Sequence, residues 1–168
     1  MNSEKKKSRK KSGIVETLRT LIYAVLIALV IRTVGFEPFN IPSGSMIPTL
    51  LVGDYLFVAK YSYGYSKYSI PMGPPIFKGR IFGALPDRGD VAVFKLPSDN
   101  STDFIKRVIG LPGDRIQVIN GILHINEQPV LRQRISDYLS KDFLGRTFRI
   151  PRYVETLPNG VSYQTLDK

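Results

Sequence analysis

Gly113-Asp114-Arg115-Ile116-Gln117-Val118-Ile119-Asn120-Gly121-Ile122-Leu123-His124-Ile125 reads as a β-hairpin. Two apolar-rich runs flank Asn120-Gly121, a dipeptide that suits the two central positions of a type I′ turn. Gly113-Asp114 punctuates the start of the first run. The same pair precedes two other strand-like runs, Asp54-Tyr55-Leu56-Phe57-Val58-Ala59 and Asp90-Val91-Ala92-Val93-Phe94-Lys95. Asn159-Gly160 predicts a further hairpin between residues 153–156 and 161–165. Asp103-Phe104-Ile105-Lys106-Arg107-Val108-Ile109 is one more strand-like run, bounded by Gly110 and Pro112. The chain is therefore expected to be mostly β, an antiparallel sheet or barrel-like domain. Residues 60–86, with Tyr61, Tyr63, Tyr65, Tyr68 and Met72-Gly73-Pro74-Pro75, read as an extended loop and candidate flap. The 168 residues suffice for one domain with a moderate core.

The net charge of +10 is uneven, for residues 1–20 hold seven Lys/Arg against two Glu, half of the excess. A basic arm can bind nucleic acid, but the residues that follow argue for a membrane and against a nucleic-acid partner. Residues 21–31 are an unbroken apolar run, and residues 14–36 as a helix span about 34 Å, enough for the hydrocarbon core. Arg19 and Arg32 can snorkel towards opposite surfaces. A cleaved leader would need small residues just after the apolar run, and Arg32-Thr33-Val34-Gly35-Phe36 supplies no such pair. An uncleaved anchor at 14–36 is expected, with residues 1–13 as a cytoplasmic tail by the positive-inside rule and residues 37–168 on the outer face. The absence of cysteine fits an oxidising compartment.

Ile41-Pro42-Ser43-Gly44-Ser45-Met46-Ile47-Pro48-Thr49-Leu50 follows the anchor. Two prolines fix φ and remove two backbone donors, and Gly44 is expected to adopt a backbone conformation closed to other residues. Ser45 is thus placed on a stiff turn with its hydroxyl held out. That hydroxyl becomes a useful nucleophile only when a base takes its proton. The single histidine, His124, lies on a strand where a solvent-facing polar role is the ordinary one, and there is no cysteine. A Cys-His protease and a Cys/His zinc site are excluded. Neither a phosphate loop nor paired carboxylates at catalytic spacing is present, so no cofactor and no metal are expected. The remaining base is a lysine, as in Ser-Lys variants of the triad. Lys106 alternates with Phe104 and Val108 on one face of its run, and Arg107 with Ile105 and Ile109 on the other. One face packs inward, so one of these cations is partly desolvated, a setting that favours a neutral amine. A lysine snorkelling from a strand edge is the ordinary alternative.

These segments resemble the type I signal peptidases of bacteria, membrane-anchored Ser-Lys proteases that remove signal peptides from exported proteins. Four blocks carry the resemblance in order. They are the anchor leading into Glu37-Pro38-Phe39; Pro42-Ser43-Gly44-Ser45-Met46-x-Pro48-Thr49-Leu50; Gly53-Asp54-Tyr55; and Arg88-Gly89-Asp90-Val91 through Lys106-Arg107-x-x-Gly110-Leu111-Pro112-Gly113-Asp114. The resemblance implies Ser45 as nucleophile and Lys106 as general base. It implies an oxyanion hole from the Ser45 N–H and the Ser43 hydroxyl. It places Ile41, Met46, Leu50 and Phe104 around the substrate residue beside the cut. Phe39, Ile41, Leu56, Val93, Asp103 and Ile105 would surround the residue two positions upstream. Small apolar pockets of this kind favour Ala-x-Ala sites. Segments 37–42 and 103–106 would pair with substrate backbone as added strands. Signal peptides of exported preproteins and the lipid bilayer are the implied partners, and the inner membrane of a bacterium the implied location.

The family also carries a later Gly-Asp-x-Arg-x-x-Ser-x-Asp-Ser-Arg segment whose serine and aspartate hold the lysine. None of the three Gly-Asp pairs here is followed by it. The sequence reading therefore expects a domain whose C-terminal part is missing. Its alternative function is a catalytically impaired homologue that binds signal peptides without turnover. A soluble self-cleaving Ser-Lys repressor shares the pair, but it requires an N-terminal DNA-binding domain where this chain has its apolar segment.

Overall fold

The computed structural model describes residues 2–71, 73–74, 77–141 and 144–167, with side chains from residue 13 onward. Met72 and Pro75 of the expected loop, and the side chains of the basic tail up to residue 12, lie outside the described residues. The chain divides into two units, Met1–Pro38 with Phe57–Ala84, and Phe39–Leu56 with Leu85–Lys168.

The first unit begins with α1 (Asn2–Val30), which runs into a π-helical turn, Ile31–Gly35. Residues 13–35 are long and apolar enough to cross a membrane, and no protein covers that stretch. Leu21, Ile22, Leu26, Ile27, Val30 and Ile31 are each about half exposed or more, an apolar surface of the kind that marks a membrane or partner contact. Where the apolar helix stops, β1 (Phe36–Asn40) starts and pairs with β2 (Tyr55–Ala59). Lys60, its side chain 7% exposed, lies 3.0 Å from the Glu37 carboxylate and donates to Ser69 O at 2.6 Å. Burying the ammonium is tolerable because both contacts supply negative potential. The 60–86 segment is more ordered than a plain extended loop. β3 (Tyr65–Ser66) pairs with β4 (Arg80–Ile81), and the Arg80 guanidinium clamps Tyr63 O and Gly64 O. Gly64 has φ +77°, and a Cβ there would stand 2.4 Å from Phe82 O, so only glycine fits.

The second unit carries the remaining strands. β5 (Val91–Lys95) pairs with β6 (Asp103–Arg107). β7 (Ile116–Ile119), β8 (Ile122–Ile125) and β9 (Gln128–Pro129) form one meander, and β10 (Leu131–Lys141), β11 (Thr147–Thr156) and β12 (Ser162–Leu166) another. The mostly β, antiparallel expectation holds. The described strands form five ladders of two or three strands each. Asn120 and Gly121 both take positive φ, as a type I′ turn requires. Asn126-Glu127 does the same between β8 and β9 without a glycine, and for that reason left no signal in the sequence.

The three Gly-Asp pairs build one repeated device. Gly53, Gly89 and Gly113 have φ of +93°, +101° and +93°. The following aspartate N–H donates to the carbonyl three residues back (Leu51, Asp87, Leu111), and its carboxylate accepts the N–H of that same residue. Each turn thus closes on itself with two hydrogen bonds. Asp114 does more than this. Arg88 forms a 2.8 Å ion pair with it and also donates to Ile109 O at 2.7 Å, while Asn126 donates to its second oxygen at 2.9 Å. This network fixes the chain as it leaves β6. The turn after β11 docks on the same corner, since Asn159 donates to Arg88 O at 2.7 Å.

Two apolar clusters lie in this unit. One holds Ile125, Val130 and Leu157, backed by Ile109, Leu123 and Tyr163, and the other is described with the site below. Leu157 is 2% exposed. Leu157→Ala is expected to cost about 2–5 kcal/mol, read as a shift of the urea midpoint at constant m. The Leu111 N–H, then Asn126 and Arg88, hold the Asp114 carboxyl below its ordinary pKa. A carboxyl with a lowered folded pKa adds stability that is complete above the unfolded value and is lost as pH falls through the folded one. The stability gap between the parent and Asp114→Asn should therefore be widest near neutrality and close below about pH 4. A constant gap across that window would remove Asp114 from this role.

Candidate active site

The site is built on a packing rule. Ile41 is 1% exposed, Ile105 5% and Met46 9%, and these three form one buried cluster backed by Leu50, Leu56 and Val93. Met46 and Ile105 are sequence neighbours of Ser45 and Lys106. Along a strand, neighbours point to opposite faces, so driving Ile105 inward turns Lys106 outward. Met46 closes a short 3₁₀ turn, Gly44–Met46, and its burial leaves Ser45 on the exposed side. The outcome is a hydrogen bond from the Lys106 Nζ to Ser45 Oγ, across 61 positions of sequence.

The turn itself is held by backbone bonds. Ile47 N–H donates to Gly44 O at 3.3 Å and Leu50 N–H to Met46 O at 3.0 Å. Gly44 corrects the sequence expectation, because its φ lies outside the left-handed region. What it provides is room: a Cβ there would come within 2.9 Å of Ile47 Cδ1. Ser43 is extended and makes no capping bond to the turn, so its hydroxyl remains available, 3.4 Å from Ser45 Oγ. The first N–H groups of any helical turn have no partner within it, and that of Ser45 is among them.

Lys106 pairs across the ladder with Ala92, and its Nζ lies 5.4 Å from the centre of the Phe104 ring. Phe104 in turn stacks on Phe94, with ring centres 6.2 Å apart. Both cations of β6 are half-buried, where the alternation argument expected only one of them to be. Arg107 is held separately, donating to Gly89 O at 2.5 Å and lying 4.9 Å over the Tyr163 ring.

Of the remaining sequence-derived site residues, Ile41, Met46, Leu50, Leu56, Val93 and Ile105 are gathered in the one cluster. Phe39 lies half-buried on β1, which continues into Ile41; there the chain is held by Ile41 N–H to Asp54 O and Gly53 N–H to Ile41 O, both at 2.9 Å. Asp103 pairs with Lys95 at 2.9 Å, so its carboxylate is occupied within the sheet. β6 has a strand partner on one edge and none on the other among the described residues, as the strand-addition expectation needs.

A cavity of about 440 Å3 opens at the pair. Thr49, Arg107 and Ile109 border it, and so do four consecutive β12 residues, Tyr163 to Leu166. Sequence reasoning did not find these. Nothing local distinguishes Tyr163-Gln164-Thr165-Leu166 from any other alternating strand; only the return of β12 beside β6 gives it a place here. The Tyr163 hydroxyl donates to Glu155 Oε2 at 2.8 Å, and burial together with that carboxylate raises the phenol pKa well above its usual value.

Comparison with known proteins gives the class. Residues 14–165 match the family described as signal peptidase, peptidase S26, and the chain belongs to that family. It is 43% identical to signal peptidase I of Rickettsia conorii over 97% of its own length and 60% of the relative's. It is 48% identical to that of Rickettsia canadensis over 86% and 54%, and 46% identical to that of Rickettsia prowazekii over 84% and 53%. The chain thus spans a little over half of the length of these relatives.

Proposed function

We propose that this chain is a membrane-bound serine endopeptidase that removes signal peptides from exported preproteins after Ala-x-Ala sites, with Ser45 as nucleophile and Lys106 as general base. The hydrogen bond between Lys106 Nζ and Ser45 Oγ carries the reading. A neutral Lys106 amine accepts the Ser45 proton as Oγ attacks the scissile carbonyl. The tetrahedral oxyanion is held by the Ser45 N–H and the Ser43 hydroxyl. The ammonium then returns its proton to the leaving amine. Water repeats the sequence on the acyl-enzyme and restores Ser45.

The pocket reading follows from packing. A peptide extended along the open edge of β6 presents alternate side chains to the same face. That face meets the wall of Ile41, Met46, Leu50 and Phe104 beside the cut, and Ile41, Leu56, Val93 and Ile105 two residues upstream, with Phe39 and Asp103 at the margin. The wall is close-packed already, so alanine enters where a larger side chain would collide. The apolar segment of residues 14–36, within which the helix is long enough to cross, anchors the protein in the bilayer, with residues 1–13 in the cytoplasm and the β domain on the outer face of a bacterial inner membrane. This anchoring places Ser45 on the side where translocated signal peptides emerge.

Incubation with a labelled preprotein tests the reading. Ser45→Ala and Lys106→Met should reduce cleavage to background, and Ser43→Ala should lower kcat by about 10²–10³. Undiminished cleavage by Ser45→Ala would overturn it. After an alkaline carbonate wash the chain should stay in the membrane pellet, and its release would remove the anchor.

A further inference from the structure

Where the apolar helix stops, its last carbonyls have no partner within the helix. Two of them are met by a part of the chain some thirty residues on. Lys60 N–H donates to Gly35 O at 3.0 Å, and the Tyr65 hydroxyl donates to Val34 O at 2.9 Å. The Phe36 and Tyr61 rings meet edge to face at the same place, with centres 5.7 Å apart. All of these residues belong to the first unit.

The side chain of Lys60 closes this junction. Its ammonium lies between the carboxylate of Glu37, the second residue of β1, and Ser69 O. Glu37 also lies 3.5 Å from Arg32, in the last turn of the helix. Ser69 ends a short 3₁₀ turn, Lys67–Ser69, that a capping box holds. There the Tyr68 N–H donates to Ser66 Oγ at 3.3 Å, and the Ser66 N–H donates to Ser69 Oγ at 3.1 Å. One cation therefore ties the start of β1, the end of β2 and this turn together. A buried ammonium tolerates little displacement, because water does not replace the partners it would lose. The exit from the apolar helix is stiff for that reason.

Stiffness here bears on encounter. Two chains held in one bilayer meet at a rate set by the volume that their tethered parts explore, and a stiff link keeps that volume small. A substrate free in solution gains nothing from such a link.

We propose that Lys60 and Tyr65 are positioning residues. By joining the end of the apolar helix to the start of β1, they confine the chain that leads to Ser45, so that a preprotein held in the same bilayer by its own apolar segment is cut efficiently. The proposal rests on the proteolytic reading of Ser45 and on the anchor, and it assigns the junction a part in choosing membrane-held substrates.

The full chain in phospholipid vesicles tests it with two substrates, a preprotein inserted in the same vesicles and a short soluble peptide with an Ala-x-Ala site. Lys60→Met should lower kcat/KM for the inserted preprotein about ten- to hundredfold and leave that for the peptide within about twofold. Tyr65→Phe, which removes one hydrogen bond and no charge, should show the same split at about two- to fivefold. Equal losses on the two substrates, or no loss on either, would overturn the proposal and leave the proteolytic reading standing. Where Lys60→Met lacks a cooperative urea transition, Tyr65→Phe decides by the same comparison. If the parent cuts neither substrate, or Ser45→Ala cuts both as the parent does, the proteolytic reading falls and this proposal with it.

Discussion

Ser45 and Lys106 meet because each stands beside a residue that must be buried. Met46 and Ile105 share a cluster with Ile41, and removing that apolar surface from water is worth about 1.5–3 kcal/mol per side chain. The polar neighbours gain little by comparison. Apolar burial therefore fixes the positions of the 3₁₀ turn and β6, and the serine and lysine are carried into contact as a geometric consequence. A pair joined only by its own hydrogen bond would not hold such a register, since a net bond contributes about 1 kcal/mol. The hydrogen bond reports the packing more than it causes it.

The corners around β6 serve the same end. Gly89-Asp90 delivers β5 in register, Val93 opposite Ile105 and Ala92 opposite Lys106. Gly113-Asp114 receives the chain after β6 and is tied through Arg88 to Ile109 O. Left-handed glycines let the chain reverse in little space, and the aspartates close each turn on its own backbone. A lysine held between two such corners has little freedom to drift from Ser45. Under the proposed Ser-Lys chemistry that restraint has a use, because proton transfer depends on a short and constant distance.

The outer surface of the domain is uneven. Met46 belongs both to the apolar cluster and to the lining of the cavity, so Ser45 and Lys106 stand where the two meet.

Local physics made much of this legible in the chain. Asn120-Gly121 determined a type I′ hairpin because few dipeptides take two positive φ values cheaply, and the three Gly-Asp pairs marked corners because each glycine takes one positive φ and each aspartate closes its own turn. The apolar run in residues 13–35 determined a helix long and apolar enough to cross a membrane. A serine with a lysine partner was the candidate left by elimination, because the chain offers no cysteine and one histidine, and the fold brings Ser45 and Lys106 within hydrogen-bond reach. Tertiary structure decided the remainder. It decided that Gly44 provides space and not an unusual φ, that residues 60–86 close through β3 and β4, and that Asp103 is taken by Lys95. It brought β12 to the cavity with Arg107 against Tyr163, although 56 residues separate that pair in the chain. A strand sequence specifies which faces are apolar, but which other strand covers them depends on the cheapest common burial of all of them, and no single segment encodes that.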